Sequence, residues 1–243
     1  MQLARDLCAR MAAKLEDGLV VGGVYGSTAR GTDTEWSDLE LFSVVRDEQK
    51  EAARHFVFRS VAVGYRAVAQ QRLEDLLVNP SRSWPFHMGV LSGLQVLHGD
   101  AEQVRTWLRL GQSVSPERFR TALEELLPDL VIESYGRVLS CRERHNARDI
   151  RASVHEILFE MNLALCLLNG GWVTHDYYQG LVDAFTFPNL PEGYHDLVEA
   201  LWDAQEIDEI VPLAERLVGN FWRLLEEKGV RLTDYQRVDD VPL

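Results

Sequence analysis

Apolar and polar positions recur along this chain with two different periods, and the change of period divides it. Leu3, Leu7, Met11 and Leu15 are spaced as on one helix face and predict a helix over residues 2–15, ending before Gly18. Leu19-Val20-Val21-Gly22-Gly23-Val24-Tyr25 is a short apolar run stopped by Gly26-Ser27, the pattern of a buried strand. Residues 38–45, Asp-Leu-Glu-Leu-Phe-Ser-Val-Val, alternate at first and predict a second strand. Residues 55–59 and 61–69 predict two more, with Val61, Val63, Tyr65 and Ala67 on one face. Gln71 to Val78 reads as a short helix halted by Asn79-Pro80.

Beyond residue 114 the period is helical throughout. Ser115-Pro116-Glu117 is a start signal, with Ser at the N-cap and Pro in the first turn. Pro128 is expected to interrupt that helix, with a new one running from about Asp129 to Arg144. Further helices fit residues 151–168, closed by Gly170-Gly171, then 176–185, 195–204 and 208–228, closed by Gly229. The predicted fold class is α/β of the α+β kind, a small mixed sheet followed by a helical bundle. The boundary falls near residues 100–114, giving domains 1–110 and 111–243.

Composition narrows the function classes. The chain has 243 residues, 46% apolar and 26% charged, which excludes disorder and fibrous structure. The longest apolar stretch, near Leu158 to Leu168, is broken by Glu160 and Asn162 and is shorter than the ~20 residues a spanning helix needs. Met1 to Ala12 carries Arg5, Asp6 and Arg10 and so does not read as a secretory signal. Twenty-five Lys and Arg against 38 Asp and Glu leave a formal charge of −13. Nucleic-acid binders draw affinity from phosphate neutralisation, so no nucleic-acid partner is expected, and no membrane; cationic ligands are attracted instead. Cys8, Cys141 and Cys166 form no CxxC pair and no Cys/His metal pattern. They read as apolar filling in a reducing compartment, hence the cytoplasm.

One segment carries chemistry: Val24-Tyr25-Gly26-Ser27-Thr28-Ala29-Arg30-Gly31, then Ser37-Asp38-Leu39-Glu40-Leu41. Gly26 ends a strand where the backbone must turn sharply and let a ligand approach the main chain. Ser27 follows, with free N–H groups and a hydroxyl suited to phosphate oxygens. Asp38 and Glu40 sit at i and i+2 on the next strand, so both carboxylates share one face while Leu39 and Leu41 point to the other. Two carboxylates beside a phosphate cradle suit Mg²⁺, which also takes oxygens from a nucleotide. A bare Gly-Ser-x10-Asp-x-Glu also fits a polar hairpin; the strand–turn–strand context favours the chemical reading.

These residues resemble the signature of the nucleotidyltransferase superfamily built on the DNA polymerase β palm. More closely they are similar to the kanamycin nucleotidyltransferase (aminoglycoside 4′-O-nucleotidyltransferase) family. Ser83-Trp84-Pro85, Ile132-Glu133-Ser134-Tyr135-Gly136-Arg137, Leu190-Pro191-x-Gly193-Tyr194 and Asn220-Phe221-Trp222 carry the resemblance collinearly from about residue 20 to 230. It implies transfer of a nucleoside monophosphate, AMP from ATP or another NTP, to an aminoglycoside hydroxyl, with Mg²⁺ as cofactor and pyrophosphate released. Gly26, Ser27, Arg30 and Ser37 would be nucleotide-binding, and Asp38 and Glu40 would hold the metal. Glu133 aligns with the general base, Arg137 with a cation on the nucleotide phosphates, and Asp129 with a further acidic, substrate-binding position. A homodimer with shared active sites is also implied.

Asp129, Glu133 and Arg137 are spaced i, i+4, i+8 and would line one helix face, although Glu133–Arg137 taken alone reads as a surface ion pair. The chain departs from the family at a third acidic residue expected on a later strand. Val63-Gly64-Tyr65-Arg66-Ala67-Val68 contains none, and Ala67 or Arg66 occupies the place. That departure bears on the acceptor more than on the reaction type. Alternatives are the same chemistry on a lincosamide or a protein hydroxyl, and a catalytically silent nucleotidyltransferase-like binding module. His155-Glu156 with Glu160 is not His-Glu-x-x-His, His175-Asp176 reads as a helix cap, and Trp84, Trp172, Trp202 and Trp222 read as core anchors.

Overall fold

The structure, a computed structural model, describes residues 1–242 and divides into two compact units, Met1–Val114 and one beginning at Ser115. In the first unit the helical spacing at the N-terminus becomes α1 (Gln2–Leu15), and the apolar run becomes β1 (Leu19–Tyr25). Then come α2 (Gly26–Arg30), β2 (Leu39–Val45), β3 (Ala52–Phe58), β4 (Val61–Ala69), α3 (Gln70–Val78), α4 (Trp84–Ser92), β5 (Gln95–His98) and α5 (Ala101–Gln112). The five strands form one mixed sheet in the order β3-β4-β2-β1-β5, with β2 and β4 parallel and the other neighbours antiparallel.

Period-2 alternation sorts the two faces of that sheet. Leu39, Leu41 and Val63 join Val24 beneath α1, whose Ala4, Leu3, Leu7 and Met11 close over them. Leu19, Val45 and Ala67 extend the same layer. On the other face Phe42 and Val44 are buried, and α3 packs against β2 and β4. Trp84 and Trp107 are fully buried in this unit, their indole N–H groups donating to Leu77 O at 2.8 Å and Glu74 Oε1 at 3.1 Å.

Three features differ from the sequence expectation here. The third strand starts at Ala52, and Arg59 lies in the turn: Arg59 and Ser60 have φ of 47° and 67°, the two positive values of a tight type I′ hairpin. No Asn-Gly or Asp-Gly announces it. Every residue of β3 after Ala52 is exposed, as befits the sheet's edge. Residues 95–112, given no element by the sequence pattern, form β5 and α5, whose Val104 and Trp107 pack within the first unit.

The second unit is helical: α6 (Pro116–Leu127), a π turn over Pro128–Ile132, α7 (Glu133–Glu143), α8 (Ile150–Asn169), α9 (Tyr177–Ala184), α10 (Tyr194–Asp203) and α11 (Ile207–Glu227). The central α8 buries both flanks among α6, α7, α9, α10 and α11, and ends at Gly170 in the left-handed region with φ 55°. α6 ends at Leu127, before Pro128 as expected, but the backbone path stays helical into α7. Pro128 adopts helical angles (φ −58°, ψ −44°), and the wider i→i+5 turn that follows accommodates the ring and the missing N–H. Ser134 is buried and donates its hydroxyl to Leu130 O at 2.6 Å, tying off one carbonyl of that turn. Cys8, Cys141 and Cys166 are buried free thiols, as apolar filling requires, and burial raises the Cys8 thiol and pushes that of Cys166 up to about 12. Among the described residues no helix is long and apolar enough to cross a membrane.

Candidate active site

The antiparallel register of β1 with β2 sets Tyr25 directly opposite Glu40, on one face of the sheet. Gly26 follows with φ +69°, a conformation that a side chain disfavours. A Cβ at Gly26 would lie 1.9 Å from Glu40 Oε2, so the carboxylate occupies the space that only glycine leaves. The Tyr25 hydroxyl donates to Glu40. Burial, then the Glu40 charge and that hydrogen bond, with Asp38 adding, push the phenol far above its usual range against the opposing charge of Arg66. Tyr25 therefore stays a donor at every working pH and orients Glu40.

Asp38 stands exposed at the entrance to β2, two residues before Glu40 and with the same alternation. The turn before it is built by Ser37, whose Oγ accepts the Thr34 backbone N–H at 2.9 Å while its own N–H donates to Thr34 O at 3.1 Å. Ser27 and Arg30 sit on α2, whose C-terminus closes at Gly31 in the left-handed region with φ 71°. Gly26, Ser27, Arg30, Ser37, Asp38 and Glu40 thus lie on one strand–turn–helix–turn–strand path.

On its other side Glu40 is flanked by Gly64 of β4, in parallel register. Ala67 instead pairs with Ser43 and is buried on the opposite face, so the place for a third group beside Glu40 is Gly64, not Ala67. Neither is acidic. His55 of β3 pairs with Gly64, and its ring passes over the glycine, with Cε1 and Nδ1 3.6 and 3.7 Å from where a Cβ would stand. The row across the sheet is Tyr25, Glu40, Gly64, His55, with Arg66 two residues along β4 on the same face. Sequence reading missed Tyr25 and His55 because their role depends on cross-strand register.

In the second unit Glu133 and Arg137 keep α-helical i, i+4 spacing and meet at 2.5 Å. Arg137 also reaches Glu156 of α8 at 2.6 Å, a partner that no spacing within α7 announces. The hydrogen bond that Arg137 donates to Glu133 leads in holding the guanidinium more strongly protonated than usual, with the Glu156 charge next. Asp129 lies on the π turn, so the expected single α-helical face of three residues holds for Glu133 and Arg137 only. His155 stacks on Trp202 with centroids 4.7 Å apart, and Asp176 takes the N-cap position of α9 without a side-chain cap bond.

No known family model matches the chain. It is similar to an aminoglycoside nucleotidyltransferase (4′) of Bacillus sp and to one of Staphylococcus aureus, each 22% identical over 233 residues, 93% of this chain and 88% of the relative. Its fold is similar to that of a nucleotidyltransferase-like protein from Exiguobacterium sibiricum 255-15, with a TM-score of 0.51 and 17% identity over 94% of this chain and 75% of that one.

Proposed function

We propose that the protein is a nucleotidyltransferase that moves a nucleoside monophosphate, AMP from ATP, onto a hydroxyl of an aminoglycoside, the 4′-hydroxyl, and releases pyrophosphate. The observation that carries this reading is the seat of Glu40: a carboxylate lodged in the space of Gly26, held by Tyr25 and sharing a face with Asp38. The distant relatives' names support the acceptor class.

The residues fit Mg²⁺ as a metal that arrives with its nucleotide. Among the described residues no group of three His, Cys, Asp or Glu side chains forms a cage. Mg²⁺ needs none, since it binds through one or two carboxylates together with substrate phosphates. Asp38 and Glu40 would hold it, and when bound it supplies charge neutralisation at the transferring phosphate. Gly26, Ser27, Arg30 and Ser37 would position the phosphates. Glu133 would take the proton from the attacking hydroxyl, Arg137 would contact phosphate oxygens, and Asp129 the acceptor, in a homodimer in which Glu133 of one copy serves Asp38 and Glu40 of the other. The compartment of this chemistry is the cytoplasm, where its nucleotide is.

One observation favours a second reading, the same transfer to a different hydroxyl compound: Gly64 and Arg66 stand on β4 beside Glu40, where a polycation would be met best by acid. Incubation with Mg·ATP and a panel of aminoglycosides, reading pyrophosphate release and an AMP mass increment on the acceptor, tests the proposal. Release without an aminoglycoside product excludes that acceptor; no release with any hydroxyl compound excludes the transferase.

A further inference from the structure

A cavity of about 390 Å³ opens in the first unit among β3, β4, α3 and α4, a volume typical of small-molecule sites. Its polar lining is Glu51, Arg66, Arg72, Ser83 and His87. The Arg66 guanidinium lies 5.4 Å from the centroid of the Phe86 ring and has no carboxylate partner among the described residues. Arg72 Nε is 3.7 Å from Glu51 Oε2, while Glu51 Oε1 accepts the Ala69 backbone N–H at 3.1 Å. One carboxylate, half engaged by the backbone, faces two guanidiniums, so the lining is net positive within a chain of net charge −13.

His87 adds a directed group. It is 4% exposed, and its Nδ1 lies 2.7 Å from the Ser83 carbonyl, which can only accept. Nδ1 therefore carries the proton and Nε2 is left as an acceptor. Burial, aided by the charges of Arg66 and Arg72 and opposed by the Ser83 bond, holds the imidazole below its ordinary value and keeps it neutral near pH 7.

We propose that this cavity binds an oxyanion-bearing polyhydroxyl compound, a sugar phosphate or acidic sugar, with Arg66 and Arg72 gripping the oxyanion and His87 Nε2 accepting from a neighbouring hydroxyl. Guanidiniums match phosphate and carboxylate oxygens in pairs, which sets the ligand class. Its assignment as the acceptor site rests on the second reading of the proposed nucleotidyl transfer, to a hydroxyl compound other than an aminoglycoside. Arg66 is two residues beyond Gly64, roughly 7 Å along β4, and its charge reaches Tyr25 beside Glu40. The cavity thus lies on the β4 flank of Glu40, whereas Gly26 and Ser27 follow β1 on the opposite flank. In-line transfer sets leaving pyrophosphate and incoming hydroxyl on opposite sides of the phosphorus. With the phosphates toward Gly26–Arg30, the hydroxyl enters over Gly64.

Calorimetry of the full chain with ribose 5-phosphate, and with ribose as control, tests this. Arg66 is exposed and Arg72 has only its long contact to Glu51, so Arg66→Gln and Arg72→Gln leave the fold intact. Each should weaken ribose 5-phosphate binding by about tenfold to a hundredfold, the worth of a charge-assisted hydrogen bond; Asp38→Asn should not weaken it, and ribose should bind far less. No binding, or binding indifferent to both arginine variants, overturns the proposal while leaving transfer to aminoglycosides untouched. Arginine-dependent binding in a protein that releases no pyrophosphate with any acceptor supports the cavity and removes the transferase reading instead.

Discussion

Replacing Gly26 by alanine puts the seat of Glu40 to its most direct test. The new Cβ would stand 1.9 Å from Oε2 and 3.0 Å from the carboxyl carbon, against an optimal separation of about 3.5–4.0 Å between carbon atoms. Because the neighbour is the end of a side chain, the carboxylate yields, by about 1.5 Å. Two costs follow. A side chain at φ +69° adds about 1–2 kcal/mol of backbone strain. Loss of the charge-assisted bond from Tyr25 removes about 1.5–3 kcal/mol. A total near 2.5–5 kcal/mol lowers the melting temperature of a chain this size by roughly 5–20 °C. Turnover suffers more, since about 1 Å of misplacement in a reacting group costs on the order of 10²-fold. Tyr25→Phe removes the donor without the clash, and in the Gly26→Ala background it should cost little more, because the bond is already gone. Thermal melts and pyrophosphate release on the four proteins of this cycle give both readouts. Full turnover in Gly26→Ala with a normal melt would refute the idea that Glu40 acts from this position.

Asp38→Asn and Glu40→Gln should each abolish pyrophosphate release with the melt of the first unit preserved; near-normal turnover of either at saturating Mg²⁺ removes the metal assignment. Glu133→Gln should keep nucleotide and acceptor affinity but lower turnover about 10²–10⁴-fold, whereas collapse of binding with turnover kept would make it a recognition residue. For His87, burial depresses the folded value, so the unfolded chain binds the extra proton first. Stability is full above about pH 6.5 and falls as acid is added through the window below it; a melting temperature flat from pH 7 to 5.5 contradicts this. Rising salt should lower kcat/KM for a cationic aminoglycoside and raise it for a sugar phosphate, since screening removes attraction in the first case and repulsion in the second.

Local pattern made much of the first unit legible. The run Leu19–Tyr25 and the alternation from Leu39 lie where β1 and β2 lie, because each is a short stretch whose own side chains decide which face is buried. Gly26 was visible as a turn glycine, but its second role, making room for Glu40, needs the fold. So does the place beside Glu40. Parallel strands share no turn, and the register that brings Gly64 there passes through the β3–β4 hairpin, whose turn residues Arg59 and Ser60 carry no turn signature. α5 carries local signals of its own: Asp100 accepts the Glu102 N–H at 2.8 Å as an N-cap, and Val104, Trp107 and Gly111 recur at helical spacing. The π turn was not legible, since Pro128 is compatible with both a break and a widened turn, and packing around the buried Leu130 and Val131 selects the second.

The charge of the whole chain and the charge of the site speak to different stages of recognition. A net −13 acts at a distance, and at physiological salt the Debye length is only about 8 Å. It biases which ligands are met and how quickly, and a cationic aminoglycoside gains from it. What stays bound is decided within contact range, where removal of one charge-assisted partner costs about 1.5–3 kcal/mol. Within that range the β4 side of Glu40 offers Gly64, His55, Arg66 and Arg72, with Glu51 half engaged by Ala69. Global charge and local lining therefore favour ligands of opposite charge, and the local groups have the larger energetic claim on the bound state. An aminoglycoside accepted here must place its ammonium groups away from β4, on the side of Asp38 and Glu40, or leave them in solvent. An acidic sugar meets its complement at once, but only after crossing a repulsive field. Such a protein would show slow encounter and tight retention for the acid, and fast encounter with weak retention for the polycation.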